Sequence, residues 1–210
     1  MARRDDNTRA RLERDLAELK LPEIAACYRE VLDEAARNGS SMLEVLALLF
    51  GMEQTARQQR ALQRRLCDAR LPKQKTLAEY DFNFPKRIHK AVILRLFDCD
   101  FIEKHGCGVL IGPTGTGKSH LLTALGYAAC ERGYSVRHTR AVDMINQLTT
   151  APMNGLLGKA LKTYVRPSLL LLDELGYLPI DKRGADLLFQ VVAARYETGS
   201  IVLTTNRPFR

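Results

Sequence analysis

Tryptophan is absent from the 210 residues, and aromatic side chains make up only 7% of them. That scarcity argues against the stacked-base platforms with which single-strand binders hold unpaired nucleic acid. No apolar run approaches the roughly 20 residues of a membrane helix, so no membrane partner is expected. The amino terminus, Met1 to Asp6, is charged with no apolar stretch behind it, unlike a secretory leader. Cysteines number five, an odd count without paired spacing. Cys27, Cys67, Cys99, Cys107 and Cys130 fit reduced thiols of a cytoplasmic protein better than a disulfide frame or a zinc site. Repeats and low-complexity segments are also missing, and 46% hydrophobic with 27% charged residues excludes a wholly disordered chain.

Acidic residues are in deficit, and the deficit is local. Residues 1–53 hold 8 Lys/Arg against 11 Asp/Glu, residues 54–95 hold 11 against 3, and residues 96–210 hold 13 against 10. The middle stretch therefore carries a charge equal to the whole net excess of +8. So concentrated a basic region is the footprint of a phosphate-backbone binder; a solvated helix face is the plainer alternative.

Three helices are expected in the first third of the chain. Leu12, Leu16 and Leu19 recur at helical spacing before Pro22. Ile24, Tyr28, Val31, Leu32 and Ala35 share a second face, which Asn38-Gly39 ends. Ser41 and Glu44 form a capping box for a third helix reaching about Arg70, where Leu71-Pro72 stops it. Arg57, Arg60, Arg64 and Arg65 crowd its second half. Residues 1–71 thus read as a helical DNA-binding domain, and 72–85 as a linker whose Phe82 and Phe84 should dock on a neighbouring surface. A further helix from Lys86 to about Lys104 is expected, with Lys86, Arg87 and Lys90 as more candidate DNA contacts.

From Cys107 short apolar runs alternate with helical stretches, the pattern of a parallel sheet flanked by helices. Strands are expected at 109–111, 135–139, 169–172 and 201–205, and helices at 118–132, 141–149 and 182–198, the last capped by Asp181. Residues 86–210 therefore read as an α/β core.

Gly112-Pro113-Thr114-Gly115-Thr116-Gly117-Lys118-Ser119 matches G-x-x-x-x-G-K-[ST] in full, between an expected strand and an expected helix. Its glycines let backbone N–H groups turn toward phosphates, and the helix behind, opening at Lys118 and carrying His120 as a further nucleotide-contact candidate, points its positive end at them. Lys118 would reach the β- and γ-phosphates of ATP, and Ser119 would ligate Mg²⁺. Leu169 to Leu172 then delivers Asp173 and Glu174 to the carboxyl edge of the sheet, where ligands bind in open α/β folds. Asp173 is the second candidate Mg²⁺ ligand, and Glu174 a candidate general base for water. Ile201 to Thr205 brings hydroxyls and Asn206 to the same edge, where Asn206 could orient the water or touch the γ-phosphate.

These elements, in this order, resemble the AAA+ ATPases. The segments GPTGTGKSHLLTALGYAACERGYSV, LLLLDELGYLP, LLFQVVAARYE and VLTTNRPF resemble the IstB-like helper ATPases of insertion-sequence transposition, relatives of the DnaC-like helicase loaders. The resemblance implies a homo-oligomer that assembles on double-stranded DNA, hydrolyses ATP and stimulates a partner transposase. It also implies helices and a final strand beyond Asn206, carrying an arginine finger and a second sensor arginine. Neither Arg207 nor Arg210 matches these, so the carboxyl part of the AAA+ module is expected to be missing. A helicase loader and a non-hydrolytic, ATP-gated DNA clamp are the alternative readings.

Overall fold

The computed structural model describes residues 2–84, 88–151, 155–176 and 180–207, with side chains from Asp6 onward. The chain divides into two units, Met1–Ala61 and Leu62–Arg210.

In the first unit, α1 (Ala2–Glu18) and α2 (Pro22–Asn38) are followed by the start of α3 (Met42–Ala69). Leu16, Ile24, Tyr28, Val31, Val45 and Leu49 form its small core. The expected caps are in place. Gly39 is left-handed at φ 68°, and Ser41 and Glu44 exchange hydrogen bonds of 2.7 and 3.3 Å. Buried Glu53 accepts from the backbone N–H groups of Glu23 at 2.8 Å and Ile24 at 3.3 Å. It thereby satisfies donors that the start of a helix leaves open.

In the second unit four parallel strands are ordered β1-β4-β3-β2, with β1 at Gly108–Ile111, β2 at Val136–Arg140, β3 at Leu169–Leu175 and β4 at Ser200–Thr205. The unbroken leucine run of β3 is explained by burial on both faces. Leu169 and Leu171 join Val202 in a core covered by α6 (Lys118–Glu131) and α4 (Lys90–Phe97). Leu170 and Leu172 join Ile201 in an opposite core under α7 (Ala141–Thr150), α8 (Leu157–Val165) and α9 (Lys182–Arg195). Asp181 caps α9 by accepting from Gly184 N at 2.8 Å.

Three expectations change. The helix expected over 86–104 is α4 and a one-turn α5 (Asp100–Glu103), broken where Cys99 turns left-handed at φ 63°. The helix α8 occupies a stretch for which no element was expected. The unit boundary falls inside α3 rather than after it, because Leu62, Leu66 and Ala69 pack into the second unit's core together with Leu71, Leu77, Tyr80 and Phe82. The segment 72–84 is thus a docked strap of that unit; of the two phenylalanines expected to dock, Phe82 does, edge-on to Tyr80 with ring centroids 4.9 Å apart, whereas Phe84 stays exposed.

Candidate nucleotide-binding site

The Gly-rich loop leaves the carboxyl end of β1 and enters α6. Gly115 and Gly117 sit at φ 86° and 80°, a region costly to side chains, so glycine is required there. Gly112 N donates to Thr205 O at 3.2 Å, tying the loop to β4. Thr116 Oγ1 donates to Pro113 O at 2.9 Å. Lys118 Nζ donates to Gly112 O and Pro113 O, both at 2.7 Å, so in this structure it caps the loop's own carbonyls rather than reaching outward.

Ser119 Oγ donates to Asp173 Oδ1 at 3.0 Å. The Thr204 hydroxyl, from the neighbouring strand, donates to the same oxygen. Glu174 N bonds Asp173 Oδ1 at 3.1 Å and Thr204 Oγ1 at 2.9 Å. The register of β3 against β4 shifts between Leu172 and Leu175, and Glu174 takes a left-handed φ of 60°. That irregularity turns exposed Glu174 away from buried Asp173, so the two adjacent carboxylates meet different surroundings. Glu174 opens on a cavity of about 350 Å³ with Arg140, Asn146 and Asp181. Arg140 is fixed by a two-pronged contact to Asp143 at 2.7 and 3.0 Å. This contact raises the Arg140 pKa most, with smaller contributions from Glu174 and Asp173.

The strap closes the other side of the loop. Tyr80 OH donates to Thr116 O at 2.9 Å, and its ring lies so close to Gly117 that an added Cβ would meet Cε2 at 2.5 Å. His120 Nε2 donates to Thr76 O at 2.8 Å. Between strap, α4 and β1 lies a cleft of about 720 Å³ lined by Tyr80, Phe84, Ile88, Val92, Gly112 and Thr114 among others. It is mostly apolar and opens onto the loop, the character of a pocket for a flat ring beside a phosphate site.

The sequence reading placed Lys118, Ser119, Asp173 and Glu174 together; Ser119 and Asp173 are in contact, whereas Lys118 holds the loop's own carbonyls and Glu174 faces a cavity with Arg140, Asn146 and Asp181. Asn206 is exposed just past β4, whereas Thr204, one of the hydroxyls the strand was expected to deliver, makes the contact to Asp173. Tyr80 carried no motif. Its only sequence signal was an aromatic cluster within a polar stretch.

The candidate DNA contacts are less uniform than a solvated face. In the first unit Arg57 donates to Lys20 O at 3.1 Å and lies 3.9 Å from Glu53, and Arg60 pairs with Glu53 at 2.9 Å. Both guanidiniums therefore also serve the fold. In the second unit Arg64 is exposed and Arg65 donates Nε to Cys130 O at 2.9 Å. Lys90 Nζ lies 5.2 Å from the Phe82 ring centroid. Lys86 and Arg87 lie outside the described residues.

A Gly-rich loop between β1 and α6, carboxylates at the end of β3 and a hydroxyl strand between them define a P-loop nucleotide-binding protein of the AAA+ type. DnaA from Aquifex aeolicus bound to AMPPCP superposes with a TM-score of 0.59 at 26% identity, over 66% of this chain and 43% of that one. The DnaC helicase loader shares the fold at 24% identity and a TM-score of 0.52, over 57% of this chain and 69% of that one. The model of the IstB-like ATP binding protein family matches residues 14–210, and the chain belongs to this family. It is 36% identical to the insertion sequence IS5376 ATP-binding protein of Geobacillus stearothermophilus, over 91% of this chain and 76% of that protein. To the insertion sequence IS21 ATP-binding protein of Pseudomonas aeruginosa it is 35% identical, over 92% of this chain and 73% of that protein. Among the described residues no helix is long and apolar enough to cross a membrane.

Proposed function

We propose that this protein is an ATP-hydrolysing, DNA-binding helper of transposition that assembles as a homo-oligomer on double-stranded DNA and stimulates a partner transposase. One observation supports the ATPase reading above others. Ser119 and Thr204, from α6 and β4, converge on a single carboxylate oxygen of Asp173 in β3, while Glu174 is turned aside. Insertion-sequence relatives at 36% and 35% identity support transposition over helicase loading.

The donor set suits Mg²⁺, a hard cation held by one or two carboxylates with substrate phosphates and waters. Ser119 and Asp173 would hold it. The ion, when bound with the nucleotide, neutralises charge on the β- and γ-phosphates. The residues of the chain do the rest. Loop N–H groups and the start of α6 cradle phosphates. Lys118 exchanges its two carbonyl partners for phosphate oxygens. The cleft beside Tyr80 and Val92 takes the base. Thr204 keeps Asp173 aimed by donating to it. Glu174 accepts the proton of the attacking water, and Asn206 lies near enough in sequence to β4 to orient that water. Arg57, Arg60, Arg64, Arg65, Lys86, Arg87 and Lys90 supply phosphate contacts without base reading, so duplex binding is expected to be weakly sequence-selective.

The test compares duplex binding by the parent and Lys118→Ala with and without ATP. The parent should bind more tightly with ATP, and Lys118→Ala should lose ATP binding and with it the enhancement. Equal ATP affinity in the two proteins would remove the site assignment. Duplex binding indifferent to ATP would remove the coupling.

A further inference from the structure

At the amino ends of β2 and β3, opposite the strand ends that carry the P-loop, lies a cavity of about 290 Å³. Its lining includes Arg65, Asp68, Ser135, Arg137, Lys162 and Arg166, four cations against one carboxylate. Arg137 is the deepest of them, only 7% exposed although it belongs to an edge strand. Its Nη1 donates to the Asp68 carbonyl at 3.3 Å and its guanidinium lies 5.8 Å from the Tyr164 ring centroid. Its Nε is buried without a hydrogen-bond partner, and among the described residues no carboxylate lies within ion-pair distance of it. Burying a charge without a counter-ion is costly. Burial lowers the Arg137 pKa, and repulsion from Arg70 adds to the effect.

The neighbours reinforce the imbalance. Arg65 is anchored through Nε to Cys130 O, which leaves its two terminal nitrogens uncommitted among the described residues. Lys162 and Arg166 stand exposed at the carboxyl end of α8. Guanidinium forks and an ammonium around a small, partly enclosed space match the oxygens of a phosphate group. The space lies at the small end of ligand pockets, too small for a whole nucleotide triphosphate. Exposed Arg64 and Arg70, on and just after the same end of α3, extend the positive surface beyond the cavity, as a polyanion would require and an isolated phosphate would not.

We propose that this pocket seats a backbone phosphate of duplex DNA, at a place separate from the ATP site and on the opposite end of the sheet. The proposal rests on the DNA-binding reading above and assigns part of that contact to Arg65, Arg137, Lys162 and Arg166.

The test is a fluorescence-anisotropy salt series, from about 50 to 200 mM, on labelled duplexes of several sequences. Lys162→Ala/Arg166→Ala removes two exposed cations without touching the core, and unchanged ATP affinity verifies its fold. Its log–log salt slope should fall by about 0.9 for each phosphate that the variant no longer neutralises, and affinity should weaken equally on all sequences. A charge-matched control, Arg9→Ala/Arg11→Ala in the first unit, should keep the parent slope. A pocket variant that matches the parent, or a control that falls as far as the pocket variant, overturns the proposal and leaves DNA binding standing. A parent that does not bind duplex at all overturns the DNA-binding reading itself.

Discussion

Gly117→Ala perturbs the contact between the strap and the P-loop at its tightest point. Two separate costs apply. An alanine held at φ 80° carries about 1–2 kcal/mol of left-handed strain. Its Cβ would also stand 2.5 Å from Tyr80 Cε2, about 1 Å inside the optimal carbon–carbon separation. Tyr80 cannot swing aside cheaply, since it is 8% exposed and its hydroxyl is bonded to Thr116 O. Overpacking of this kind costs about 1–3 kcal/mol. The two costs together amount to roughly 2–5 kcal/mol, which is a large part of an ordinary domain's stability. A double-mutant cycle separates them. Urea unfolding followed by circular dichroism on the parent, Gly117→Ala, Tyr80→Ala and the double variant gives the coupling. In the double variant the overlap vanishes and the backbone strain stays, so a coupling of about 1–3 kcal/mol in the relieving direction is expected. Additive effects of the two substitutions would refute the docking of Tyr80 on Gly117.

Buried polar groups lead to two more expectations. Arg195, 1% exposed, donates to five backbone carbonyls, those of Tyr164, Val165, Pro167, Ser168 and Ser200. Arg195→Leu should therefore cost at least about 3 kcal/mol, since each bond to a charged group contributes about 1.5–3 kcal/mol; a loss below about 1 kcal/mol in chemical unfolding would contradict that role. Burial holds the His138 pKa below its ordinary 6.5. Its stabilising contribution is complete above that value and declines as pH falls toward the folded-state pKa, because the unfolded chain takes up the proton first. The melting temperature of the parent should drop between about pH 7 and 5.5, and His138→Gln should flatten that drop; equal drops in both proteins would show that another group is responsible.

The second unit was largely legible in the sequence because its signals are local. The P-loop spacing, the continuous apolar run of β3 and the Asp181 cap each lie within a few residues, as does the capping box at Ser41 in the first unit. Contacts between distant segments were not legible. Tyr80 meets Gly117 and Thr116 only through the path of the strap. Thr204 was one hydroxyl of a strand until the register of β3 and β4 set it on Asp173. The pairing of Arg57 and Arg60 with Glu53 was missed although all three lie on α3, because the run of cations read as a set of phosphate-backbone contacts. The break at Cys99 escaped because a non-glycine residue adopts the left-handed turn there. The helix α8 starts in a stretch of Gly, Pro and Asn that reads as loop, and this masked the helical spacing of Leu157, Ala160, Leu161 and Tyr164 that packs it on the core.

ATP hydrolysis at the junction of β3 and β4 is most directly tested by Glu174→Gln. The substitution preserves shape and leaves the backbone contacts of Glu174 N to Asp173 and Thr204 available. It removes only the capacity to accept a proton. Labelled-ATP titration and phosphate release should be measured on the same preparation, with duplex DNA present. ATP affinity should stay within about threefold of the parent, while phosphate release falls by about 10²-fold or more. Phosphate release at the parental rate, with ATP still bound, would contradict the assignment of Glu174 as the proton acceptor.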